Sequence, residues 1–353
     1  MHLRNTANFL IASIAIVVIL TFGQNLIVPF VFAVLLWFIV RELKELLNKV
    51  KFVRERFPSW TKTLITSIFI LFILGIISQI ISTNIQTLAK SYDKYEKNVD
   101  LLIQNANGIL DIDLMEFLTN HIGNFNFGGL LSSIFASLAE ILGNTFIILI
   151  YFLFIFLEES HFETKLRKVF SKNNRYHKVS EILERIERSI AKYFGLKTVV
   201  SLITGILSYI VLFFIGIDSP AFWAFLIFIL NFIPTIGSLI ATVFPAIFCL
   251  LQFGEFGPGI LVLILVGAVQ VLVGNVLEPR LMGNSMNVSA LVTILALSFW
   301  GALWGVTGMI LSIPITVIMI IVLSQFPSTQ PIAIMLSDKG ELETLNINNP
   351  DPK

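Results

Sequence analysis

The sequence predicts an all-α, polytopic membrane protein with about six to eight membrane segments, including two broken or re-entrant helical hairpins, plus an extracytoplasmic helical segment. Three observations predict it. The 353 residues are 56% hydrophobic and 13% charged, with 32 phenylalanines; a soluble domain carries about 25% charge. Several apolar runs reach the roughly 20 residues that a helix needs to cross a hydrocarbon core. Two further runs are too long for one ordinary crossing, and Pro, Gly and Asn interrupt each near its middle. A mean hydropathy of +0.86 excludes disordered chains, nucleic-acid binders and secreted disulfide scaffolds, because so much apolar surface needs an apolar solvent. The single cysteine, Cys249, stands in an apolar run and reads as a small buried hydrophobe.

Residues 1–62 form an N-terminal membrane hairpin and a cytoplasmic amphipathic segment. The apolar stretches 9–22 and 26–40 are parted by Gly23, Gln24 and Asn25, and no small-x-small cleavage pattern marks the first as a signal peptide. Residues 63–157 hold two spans, 63–85 and 141–157, bracketing region 86–140. Two more spans cover 198–217 and 259–277. Lys and Arg near span ends stay cytoplasmic. Residues 41–62 carry seven of them and 158–197 carry ten, whereas 86–140 carry three against seven carboxylates. The first two segments are therefore inside and the third outside, which leaves both termini cytoplasmic.

Ile81, Ile85, Leu88, Tyr92, Tyr95, Val99 and Leu102 alternate steps of four and three, the seam of a coiled coil. A helix leaving the membrane there presents either a self-association surface, and hence a homo-oligomer, or a face packed on 109–140 of its own chain. On the inner side, Val179, Ile182, Leu183, Ile186, Ile190, Tyr193 and Phe194 form the apolar stripe of an amphipathic helix within 158–197. It lies along the membrane surface or against residues 41–60.

Residues 198–325 form the transport core. Its broken segments are 221–252, interrupted at Asn231, Pro234, Thr235, Gly237 and Ser238 with Pro245 beyond, and 288–323, interrupted between Trp300 and Gly308 with Pro314 beyond. Irregular backbone at membrane depth survives only where protein or a water-filled cavity satisfies it, and paired interruptions in two halves point to a transporter's binding site. Hairpins and long kinked spans both fit the pattern. Between them stand Gln270, Asn275, Glu278, Pro279, Arg280 and Gly283. Positions 198–337 contain only four charges, Asp218, Glu255, Glu278 and Arg280. An ionisable group near the membrane interior is a functional candidate; Glu278 equally fits a pair with Arg280 or a cap at the cytoplasmic boundary. Residues 326–353 form a cytoplasmic tail.

The runs Tyr193 to Thr198, Asn231 to Ser238 with Pro245, Gly274 to Gly283, and Trp300 through Gly308 to Pro314 resemble the signature of the autoinducer-2 exporter family. The resemblance extends from about residue 8 to 340 and is densest from 193 onward. It implies a bacterial inner-membrane transporter, oligomeric, that exports the quorum-sensing furanone autoinducer-2. Some relatives resemble sodium or lithium/proton antiporters. The residues it carries across are Asn231, Pro234, Gly237, Pro245, Asn275, Glu278, Pro279, Arg280 and Gly283.

Charge sparsity weighs between these functions. A cation antiporter needs intramembrane carboxylates, and Glu278 alone qualifies, since Asp218 and Glu255 fall in loops. A small uncharged polyol needs hydrogen bonds instead, which Ser201, Thr204, Asn231, Thr235, Ser238, Thr242, Gln270 and Asn275 provide. The sequence therefore favours export of a small, polar, largely uncharged solute. A sodium or lithium/proton antiporter using Glu278 is the first alternative, and an oligomeric channel or scaffold the second. No GxxxxGK[ST] loop binds nucleotide, no motif calls for a metal or cofactor, and no His or Asp inside a confident span suits intramembrane proteolysis. The expected partners are the lipid bilayer, a small-molecule substrate and further copies of the chain, with no nucleic acid.

Overall fold

The computed structural model of the chain describes residues 2–49, 143–170, 175–282 and 287–340, with scattered positions between 58 and 102. No strand occurs among the described residues. They divide between two compact units, one drawn from Met1–Phe57, Ser137–Phe194 and Asn284–Lys353, the other from Pro58–Ala136 and Gly195–Gly283. Of the predicted coiled-coil seam only Leu102, half-buried in a helical stretch, is described; the other six positions lie outside the described residues.

In the first unit, α1 (His2–Phe22) and α2 (Gln24–Lys49) meet at Gly23. The turn is confined to that glycine, where a Cβ would lie 2.6 Å from Ile19 O. Helix α3 (Thr145–Val169) bends by 64° near Ser160, where the apolar run gives way to charge. It packs on α2 through an edge-on contact between Phe30 and Tyr151 and a 3.0 Å hydrogen bond donated by the Trp37 indole to Glu159. Helix α4 (Arg175–Ile215) is one unbroken run of 41 residues, so the amphipathic stripe and the span after it are a single helix. Ile190, Tyr193 and Phe194 of the stripe are buried, and Glu187 pairs with Arg41 at 2.9 Å. That pair brings α4 to the start of the 41–60 segment through a residue outside the stripe.

The two long apolar runs both break. The first becomes α5 (Pro220–Leu230) and α6 (Ile236–Phe253). The second, α9 (Ala290–Leu323), is interrupted at Trp304 (φ −128°, ψ 17°) and Gly305 (φ 60°, ψ −142°), the latter a conformation open to glycine almost alone. Residues seven or eight apart in a straight α-helix are separated by about 10–12 Å along the axis. A Cβ at Gly237 would nevertheless lie 1.9 Å from Leu230 O, and one at Gly308 1.9 Å from Trp300 O. The chain therefore folds back at each break, which makes both segments hairpins instead of kinked rods. Each fold needs a glycine because backbone meets backbone where a side chain would stand.

Helices α7 (Phe256–Leu272) and α8 (Glu278–Met282) are joined by a π-helical turn, Val273–Leu277. Pro279 explains it. The proline has no N–H to give the carbonyl four residues back and its ring collides there, so the chain widens by one residue and the Glu278 N–H reaches Val273 O instead. A short helix, α10 (Gln330–Leu336), follows α9. By length and composition α2, α4, α6, the α7–α8 run and α9 can cross a membrane, as can α3 if its bent halves are one span.

The close approaches predict the cost of filling them. Gly237→Ala and Gly308→Ala should each lower the thermal unfolding midpoint of the detergent-purified protein by roughly 5–10 °C, equivalent to ~2–4 kcal/mol. Gly195→Ala, where nothing lies within 4 Å, should leave it unchanged or raise it slightly.

Candidate solute site

The second unit contains a helix whose polarity is inverted. On α4, Lys197, Ser201, Thr204 and Ser208 are all buried, the three hydroxyl residues completely. Their spacing of four, three and four puts them on one face. Val199, Leu202, Ile206, Phe213 and Phe214 on the other faces are exposed. In water this arrangement would be unstable; in a bilayer it places hydrocarbon against lipid and polar groups inside.

Two partners meet this polar face. The Asn231 side chain, 7% exposed at the end of α5, donates from Nδ2 to Ser201 Oγ at 3.2 Å and approaches Thr204 Oγ1 at 3.5 Å. Thr204 in turn donates to Val200 O at 2.9 Å. One turn away, Lys197 Nζ contacts Glu278 Oε1 at 2.5 Å, with the two side chains 6% and 21% exposed. Lys197 and Ser201 are one turn apart, about 6 Å along the axis, so an ion pair and an amide–hydroxyl cluster share one seam. Removing either partner of such a pair strands a charge and costs ~3–5 kcal/mol, whereas the intact pair returns little net stability after desolvation.

Asn231 owes its position to the break. Its own N–H still closes the last turn of α5 on Ile227 O, and Phe232 and Ile233 turn tightly onto Ile229 O and Leu230 O. Thr235 then takes φ 59°, ψ −60°, strained for a β-branched residue, in a three-residue turn that brings Ile236 N–H 2.6 Å from Pro234 O. The Ser238 hydroxyl donates to Thr235 O at 2.8 Å. The break thus satisfies its own backbone and leaves the Asn231 amide for the seam.

Other predicted site residues disperse. Gly237 and Pro245 are buried structural positions of α6. Thr242 is buried on α6 and donates to Ser238 O; a Cβ at Gly267 would touch its methyl at 3.6 Å, so α7 passes close by. Gln270, one turn further along α7, is 8% exposed. Thr235, Asn275, Pro279 and Arg280 are exposed or half-buried, as are Pro234 and Ser238. Glu278 turns to Lys197 and not to Arg280. Gly283 lies outside the described residues.

Two seam residues were missed as candidates. Lys197 reads in sequence as the last of ten basic residues in a cytoplasmic segment, although its step of four to Ser201 was there to be seen. Ser208 continues the same spacing. Among the described residues, its Oγ and the Gln270 Nε2 are buried without a hydrogen-bond partner, a condition native structures rarely leave unused. Gln252 has a supporting role, accepting from Asp218 N–H at 2.5 Å and donating to Gly216 O at 2.9 Å. An apolar groove of about 540 Å³ lined by Ile210, Phe214, Phe253, Pro258, Leu261 and Leu265 contains none of the seam's polar groups.

If Asn231 and Ser201 bond as described, a double-mutant cycle of Asn231→Ala and Ser201→Ala should show a coupling of about 0.5–1.5 kcal/mol in unfolding free energy. Additive effects would mean that the amide points elsewhere.

Residues 10–328 match the family described as AI-2E family transporter. The AI-2 transport protein TqsA of Escherichia coli K12 is 30% identical over 321 residues, 90% of this chain and 91% of that protein. A putative transport protein of Haemophilus influenzae is 27% identical over 345 residues, 96% of this chain and 97% of its own length. Another, from Borreliella burgdorferi, is 32% identical over 268 residues, 74% and 72% of the two chains. With its apolar helices and inverted polarity, the chain is a multi-pass membrane transport protein and belongs to the AI-2E transporter family.

Proposed function

We propose that the chain exports a small, polar, largely uncharged solute across the bacterial inner membrane, and that the solute is the quorum-sensing signal autoinducer-2. The observation that carries this reading is the composition of the seam. Hydroxyls and an amide line it, its carboxylate is already matched by Lys197, and Ser208 Oγ is left without a partner among the described residues. A polyol can exchange hydrogen bonds with such groups at little net cost, whereas an ion would have to shed its hydration against neutral dipoles. The name of the Escherichia coli relative supports the substrate. Among the described residues, the sodium or lithium antiporter reading lacks a seam carboxylate that is not already paired.

The charge asymmetry of 41–62, 86–140 and 158–197 supports cytoplasmic termini with 86–140 outside. The heptad seam from Ile81 to Leu102 supports a homo-oligomer held by its outer helix.

Asn231→Ala should lower export of autoinducer-2 from intact cells about tenfold, the ~1.4 kcal/mol scale of one lost hydrogen bond, with membrane abundance unchanged. Glu278→Gln should also lower it by leaving the Lys197 charge uncompensated. Unaltered extracellular signal in both would remove the site. For the oligomer, single-cysteine variants at Tyr92 or Val99 should crosslink in native membranes, and recovery of monomers only would refute the outer seam as an interface.

A further inference from the structure

We propose that Lys197 determines specificity: its ammonium is a tethered cation that occupies the place on Glu278 where a free sodium or lithium ion would bind, and so reserves the seam for neutral solutes. The inference rests on the neutral-solute reading and extends it to how cations are refused.

The geometry points this way on three counts. Lys197 Nζ contacts Glu278 Oε1 directly, and the lysine side chain is more deeply buried than its partner, at 6% against 21% exposed. The ammonium is thus committed to the carboxylate instead of snorkelling to water. The groups beside the pair include hydroxyl oxygens, since Ser201 and Thr204 follow on the next turns of α4 and both are buried. A carboxylate with hydroxyl oxygens nearby is a donor set that suits small hard cations. Finally, the π-helical turn before Glu278 brings its N–H to Val273 O, so the backbone that carries the carboxylate is set by the turn at Pro279 and not by the lysine. Removing the lysine would therefore leave an anionic oxygen site in place.

Substitution separates this role from a merely structural ion pair. In proteoliposomes, the unaltered protein should take up lithium no faster than protein-free vesicles. Lys197→Gln should take it up at least about tenfold faster, and Lys197→Gln with Glu278→Gln should return to the baseline. Each protein is first checked for a single elution peak and a cooperative thermal transition. Folded Lys197→Gln without lithium uptake overturns the proposal, as does uptake that persists in the double variant. If Lys197→Gln does not fold, the unaltered protein still decides. Replacing potassium by lithium should leave its unfolding midpoint unmoved, and a rise would mean that Glu278 is open to ions despite the lysine. Failure of the neutral-solute reading is seen separately, as absence of autoinducer-2 efflux from the unaltered protein.

Discussion

A helix that breaks inside hydrocarbon leaves N–H and C=O groups with no water to receive them, and much of this structure depends on how two such breaks are satisfied. At residues 231–235 the chain closes tight turns onto its own carbonyls before restarting. At Trp304 and Gly305 it uses a glycine-only conformation. In both, the returning arm is drawn so close that Gly237 and Gly308 each lie against a carbonyl of the outgoing arm. The second break also reaches outward within its unit. The Trp304 indole donates to Leu20 O at 3.0 Å, a carbonyl in the last turn of α1 that the interruption at Gly23 leaves without an intrahelical partner. One backbone defect is thereby used to satisfy another.

Once the first hairpin is closed, the Asn231 amide has a single direction to serve, and α4 presents hydroxyls to it. Inverted polarity makes this face stable in lipid, and Glu278 cancels the charge that Lys197 brings to it. Such a pair adds little to folding free energy. The role proposed for it is to keep uncompensated charge off the solute's path, not to supply stability.

The breaks were legible in the sequence because Pro, Gly and Asn have few uses in the middle of an apolar run. Their reversal was not, since periodicity reports faces and says nothing of whether a chain continues or returns. Asn231, Ser201, Thr204 and Glu278 were legible as polar groups in an apolar setting. Lys197 escaped for a physical reason: along the chain it ends a basic cluster, and only an unbroken α4 carries it inward to a carboxylate 81 residues away. The charged stretch before residue 198 and the apolar one after it differ so sharply in composition that the continuity of the helix does not show in the sequence. Gln270 and Asn275 look alike in sequence, yet one is buried on α7 and the other exposed, because five residues of helix rotate the second roughly 140° away from the first. Trp304 was visible within its motif, but its partner lies 284 residues earlier, beyond any local pattern.

The central claim is that a charge-cancelled, hydrogen-bonding seam conducts a neutral solute. Substrate-resolved efflux from proteoliposomes of the unaltered protein, loaded with autoinducer-2 in buffers free of sodium and lithium and without a pH gradient, tests it most directly. The account predicts efflux down the solute's own gradient that is unchanged when lithium or sodium is added. Efflux that requires either ion, or cation movement without any loss of autoinducer-2, would contradict it.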